Sequence, residues 1–150
     1  MKKFRFPLRP VAVVRAHVEL RAREILAAAI HTYAEAEERL ASTRMRIARL
    51  EDGLFSNRGH LFRATEAAEL YRIYRSERQA EIGVERGVIE ARDVMEKRRG
   101  EYIEAHRQLD VINRLEEGAR GRHRAEALRM EQAQIDETAG YAMSRRSALS

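Results

Sequence analysis

Leu26, Tyr33, Leu40, Ile47 and Leu54 recur every seven residues, and Ala22, Ala29, Ala36, Thr43 and Leu50 recur four places behind them. Apolar residues in that alternation of three and four form the a and d seam of a coiled coil. Glu35, Glu37, Glu38, Arg39, Arg44, Arg46 and Arg49 occupy the positions between, so a narrow apolar stripe runs along a charged helix that has nothing of its own to bury the stripe against. A strict seven-residue period held over more than four heptads implies left-handed winding around a partner helix.

Composition says where that partner comes from. Both prolines, Pro7 and Pro10, lie in the first ten of 150 residues, leaving a long stretch without an obligatory helix breaker. Charged residues make up 35% of the chain, aromatic residues 6%, and tryptophan is absent, a balance that favours long solvated helices over a compact core. With no cysteine, disulfides, thiolate metal sites and thiol nucleophiles are excluded. The +5 formal charge is spread over alternating arginines and glutamates, the pattern of a salt-bridged helix surface. No apolar run approaches the roughly 18 residues of a membrane span. Val11 to Val14 is also too short for a signal-peptide core. A cytoplasmic location is expected.

In chain order, MKKFRFPLRP is an extended basic lead, and Pro10 suits the first turn of a helix. Val11, Val14, Val18 and Ile25 form a stripe offset by about one residue from the later seam, which predicts a shift of the seam near Arg21. The first helix is expected over about 10–55. Asp52-Gly53 is its first credible break, and Ser56-Asn57-Arg58-Gly59-His60 form the turn, about 56–63. A second helix is expected over about 64–139, starting near Thr65 and Glu66 and capped by Gly140. Ala67, Leu70, Tyr74, Val84, Val88, Ala91, Met95, Tyr102, Ala105, Leu109, Ile112, Ala119, Met130 and Ala133 share one a/d frame. Glu77, Glu81, Arg98, Glu116, His123 and Glu126 interrupt it.

The expected fold is therefore all-α, a single domain formed by a long two-helix antiparallel coiled-coil hairpin. Opposed residues should have numbers summing to about 118, placing Leu26 near Ala91 and Val14 near Glu104. The second helix, about 75 residues or roughly 112 Å, outruns the first, about 45 residues or roughly 68 Å, at 1.5 Å per residue. A C-terminal overhang from Leu109 to Ala139 follows. Gly83 and Gly87, one turn apart, either soften the helix or thin it where another chain packs.

Signals for catalysis are poor. His17, His31, His60, His106 and His123 are scattered without metal-site spacing, and neither a phosphate-binding GxxxxGK[ST] loop nor a GxSxG elbow occurs. Neither an enzymatic activity nor a cofactor is expected, nor a small-molecule substrate. Arg120, Arg122 and Arg124 sit in GARGRHR without aromatics and among Glu116, Glu117, Glu126 and Glu131, which argues against a nucleic-acid platform.

KKFRFPLRPVAVVRAHVELRARE at the start resembles the N-terminal signature of the flagellar FliJ family. Leu109 to Ala139 is similar to that family's C-terminal pattern, with Glu131, Gln132, Asp136 and Glu137 closing it. The resemblance implies a component of the flagellar type III export apparatus, peripherally associated with the inner membrane at the flagellar base. It also implies three partners: the hexameric export ATPase, the cytoplasmic domain of the export gate membrane protein, and the export chaperones. The overhang, with Leu109, Ile112, Arg120, Arg122, Arg124, Met130, Asp136 and Glu137, is then the expected ATPase contact. Leu70, Ile73, Tyr74 and Ala80 near the turn are the expected gate contact. Two alternatives remain: the equivalent stalk protein of a virulence-type secretion system, and a basic coiled coil that binds nucleic acid.

Overall fold

The computed structural model describes residues 2–56 and 64–150. Two helices, α1 (Arg9–Ser56, 48 residues) and α2 (Ala64–Ala148, 85 residues), pack against each other. No strand occurs among the described residues. The expected turn residues 57–63 lie outside the described residues.

Pro10 occupies the first turn of α1, where its missing N–H has no intrahelical role. The Ala12 amide donates to the Leu8 carbonyl at 2.9 Å and starts the ladder. Asp52-Gly53 does not break α1, which runs on to Ser56. Gly53 keeps a right-handed backbone, and a Cβ there would meet Leu70 Cδ2 at 3.7 Å. Nor does Gly140 cap α2. Without a left-handed φ it cannot form the usual glycine C-cap, and the helix-forming alanines, Met143 and arginines that follow carry α2 to Ala148 instead of ending it near residue 139.

The chain divides into two compact units, one of Leu20–Glu104 and one of Met1–Glu19 with Ala105–Ser150. In α1 the half-buried and buried positions recur every seventh residue from Ala12 to Leu54 and every seventh from Arg15 to Leu50. In α2 they recur from Ala67 to His123 and from Leu70 to Ala119. The α2 frame matches the expected one as far as His123, polar members included, whereas Glu126, Met130 and Ala133 are exposed.

The N-terminal part of α1 differs from expectation. Its seam continues without a shift through Ala12, Arg15 and Glu19, while Val14 is 60% exposed and Val11, Val18 and Ile25 are exposed as well. Turning that stripe inward would rotate a continuous helix by about one residue, or 100°, and would drag the Ala22–Leu54 seam out of contact. Exposing a valine stripe forgoes about 1.5–3 kcal/mol per side chain, less than the loss of a whole seam.

The register is also corrected. In the Leu20–Glu104 unit Arg44 bonds Glu81 and Glu85, Arg46 pairs with Glu77, and Glu51 with Tyr74. In the other unit Arg9 pairs with Glu116 and Glu19 with His106. Most of these pairs sum to about 125, one heptad from the expected 118. A seven-residue repeat fixes register only to the nearest multiple of seven; side-chain size and charge choose among the multiples. At the observed register Tyr33 falls in the layer of Ala91, Ala22 in that of Tyr102 and Ala29 in that of Met95, so large side chains meet small ones. One heptad away, Glu81 would lie beside Glu37, a like-charge pair.

Candidate partner-docking surface

In the unit of Met1–Glu19 with Ala105–Ser150, the lead reaches back along α2. The Phe4 ring lies 5.5 Å from the His123 ring, and the Arg120 guanidinium sits 4.8 Å over the Phe4 ring, within cation–π range. Glu116, a seam carboxylate with 13% of its side chain exposed, accepts from Arg9 Nη1 at 3.0 and 3.1 Å and from Arg120 Nη2 at 3.0 Å. Two guanidiniums thus offset the cost of desolvating one carboxylate. Phe4, Phe6, Pro7, Arg9, Val13 and Arg120 line a groove of about 880 Å³ here.

The next layers are polar too. Arg15 donates to Gln108 Oε1, and Glu19, 5% exposed, lies with Oε1 3.6 Å from His106 Nδ1. Polar groups in a seam weaken it but specify its register.

This geometry redistributes the expected ATPase contacts. Leu109 and Ile112 are half-buried in the seam, because the register carries α1 and the lead along α2 as far as His123. The overhang therefore begins near Arg124 and not near Leu109. Arg120 is engaged by Glu116 and Phe4, and the Arg122 side chain lies over Gly118, its Nη1 3.6 Å from where a Cβ would be. From Arg124 onward every residue except Ala127 is exposed. Met130 is exposed, Asp136 accepts from Gln132 Nε2 at 3.1 Å, and Glu137 faces solvent.

An exposed apolar flank of this unit reads as seam in the sequence. Val11, Val14 and Val18 on α1, with Val111 and Leu115 on α2, are all exposed. Heptad position puts them on one flank: Val11, Val14 and Val18 each immediately precede an α1 seam residue, on the side where Gln108, one turn from Val111 on α2, meets Arg15. The signal was present as the offset valine stripe, but it marks a second face of α1 and not a shifted seam.

In the Leu20–Glu104 unit the four expected gate residues separate. Leu70 and Tyr74 are half-buried seam residues, the Tyr74 hydroxyl donating to Glu51 Oε1 at 3.0 Å. Ile73 and Ala80 face outward, with Tyr71 exposed beside them. The bond to Glu51 holds the Tyr74 phenol above its ordinary pKa, and a bond to Glu37 does the same for Tyr33. Arg44, 2.7 Å from Glu85 and 3.3 Å from Glu81, has its pKa raised by hydrogen bonds to those carboxylates. Cβ atoms at Gly83 or Gly87 would meet nothing within 4 Å, so no packing within the chain requires glycine there.

Among the described residues no group of three or more histidine or acidic side chains could hold a metal ion, and no helix is long and apolar enough to cross a membrane. A family model described as flagellar FliJ protein matches residues 4–148. No curated protein and no solved structure gives a match. A match over nearly the whole chain, on a two-helix coiled coil of this form, shows that the protein belongs to the flagellar FliJ family, whose place is in flagellar protein export.

Proposed function

We propose that this chain is a non-enzymatic stalk of the flagellar type III export apparatus. It acts in the cytoplasm at the flagellar base, docks on the hexameric export ATPase and stimulates it, and links the ATPase to the export gate and the export chaperones. Family membership supports the setting, and one observation carries the docking: the exposed flank of Val11, Val14, Val18, Val111 and Leu115. Exposed apolar side chains gathered on one flank of an otherwise charged helix pair are the usual mark of a protein interface. The seam beside it holds Arg15 on Gln108 and Glu19 beside His106, so the valines and Leu115 are not part of that seam. The overhang past Arg124, with Arg124, Met130, Asp136 and Glu137 exposed, extends the same docking end, and Ile73 and Ala80 offer the gate a smaller surface.

Val14→Asp with Val18→Asp places two charges on the strip without touching the seam. Stimulation of ATP hydrolysis by the purified ATPase should fall to the unstimulated rate while far-UV circular dichroism stays unchanged. Full stimulation by the folded double variant would show that docking lies elsewhere.

A further inference from the structure

Within the unit of Met1–Glu19 with Ala105–Ser150, charge is segregated along the chain. Residues 2–18 carry Lys2, Lys3, Arg5, Arg9 and Arg15 and no carboxylate. Residues 130–144, on the overhang of α2, carry Glu131, Asp136 and Glu137 and neither lysine nor arginine. Some of these groups are engaged: Arg9 by Glu116, Arg15 by Gln108, and Asp136 by Gln132. Arg5, Arg124, Glu131 and Glu137 are exposed and have no ion-pair partner among the described residues. They also share one flank. From Arg120, steps of four and three along α2 reach Arg124, Ala127, Glu131, Gln134, Thr138 and Tyr141, which is a single helical stripe, and Glu137 stands one turn from Gln134 beside it. Arg5 joins the basic end of this stripe, because its neighbour Phe4 packs on Arg120 and His123 and Arg5 lines the groove together with Arg120.

The two ends of the stripe cannot meet within a chain, since Glu137 lies about 26 Å beyond Arg120 on one continuous helix at 1.5 Å per residue. A second copy laid antiparallel about a two-fold axis near Leu128 reverses the stripe onto itself. Glu131 then comes to the level of Ala125, beside Arg124 of the other copy, and Glu137 to the level of Ala119, where Arg5 is held. Tyr141, 66% exposed, comes to the level of Leu115, against the groove lined by Phe6, Pro7 and Val13. One rotation makes each contact twice, as an isologous interface requires. We infer that the chain forms an antiparallel homodimer by crossing its α2 overhangs, the acidic stretch of each copy seated on the basic lead of the other. The pairing draws on charge and exposure in one unit and does not rest on the ATPase reading.

The test is mass and charge exchange on the full chain. Sedimentation at about 100 µM, well above the micromolar dissociation constant of a small interface, should give twice the 17.4 kDa chain mass. Arg5→Glu with Arg124→Glu sets the new carboxylates against Glu137 and Glu131, and Glu131→Lys with Glu137→Lys sets the new ammonium groups against Arg124 and Arg5. All four positions lie outside the hairpin seam, so helicity by circular dichroism should be retained, while each double variant should weaken the dimer about tenfold. Mixing the two double variants restores opposite charges at every contact and should return the mixture to dimer mass. Loss of the dimer in the Arg5 and Arg124 variant separates this pairing from a contact of overhang with overhang alone. The inference is overturned by a 17.4 kDa species for the unaltered chain, by either double variant forming a dimer as stable as the original, or by a mixture that does not recover.

Discussion

Replacing Ile47 by alanine tests where the stability of the hairpin resides. Ile47 is 4% exposed, the most buried aliphatic side chain among the described residues, in a seam where no side chain is fully enclosed. The substitution removes three carbons, about 2.4 kcal/mol at about 0.8 kcal/mol per buried methylene, and leaves a gap that adds to the loss. Because the seam is bordered by solvent and by Arg44 and Arg46, which bridge to Glu81, Glu85 and Glu77, the neighbours relax into part of that gap. The cost should therefore fall at the lower end of the 2–5 kcal/mol range for such truncations, about 2.5–3 kcal/mol. With a urea slope of about 2–3 kcal/mol/M, the midpoint followed by circular dichroism at 222 nm should drop by about 1 M. Ile82→Ala, at a side chain 53% exposed, serves as the control and should move the midpoint by less than about 0.3 M. Equal shifts for the two variants would refute the placement of Ile47 in the seam and of Ile82 outside it.

The register can be read by cross-linking in this cysteine-free chain: Ala22→Cys with Tyr102→Cys should close a disulfide within one chain, whereas Leu26→Cys with Ala91→Cys, which the register one heptad away would join, should not. Preferential closure of the second pair would reverse the assignment. The phenols of Tyr74 and Tyr33 are held above their ordinary value by bonds to Glu51 and Glu37. A group raised on folding contributes stability that is complete below its unfolded pKa, about 10 for tyrosine, and that is lost as pH climbs through the folded value. The helix pair should accordingly lose stability above about pH 10, and Tyr74→Phe should reduce that alkaline loss; a Tyr74 titration followed in the ultraviolet at its ordinary position would remove the cause.

The hairpin was legible because its determinants are local. An uninterrupted heptad from Ala22 to Leu54, a second frame from Ala67 onward, prolines confined to the lead and turn formers gathered at 56–60 leave few other ways to bury two stripes. The docking surface was less legible. Leu109 and Ile112 read as free apolar surface only at a register that ends α1 seven residues too early, and Leu70 and Tyr74 cannot be told from Ile73 until the seam partner is in place.

The sequence by itself determined that the chain forms two long helices, where their seams run from Ala22 to Leu54 and from Ala67 to His123, and that α2 outlasts α1. Tertiary structure alone decided the register and the rotation of the first turns of α1. A heptad repeat is unchanged by a slip of seven, so only the meeting of Tyr33 with Ala91 and of Arg44 with Glu81 and Glu85 selects among the slips. A helix carrying apolar stripes on several sides, as α1 does at Val11, Ala12, Val13 and Val14, does not say which one faces its partner. That follows from the continuity of the whole helix, which holds Ala12 inward with Leu26 and Ile47 and leaves the valines to face outward.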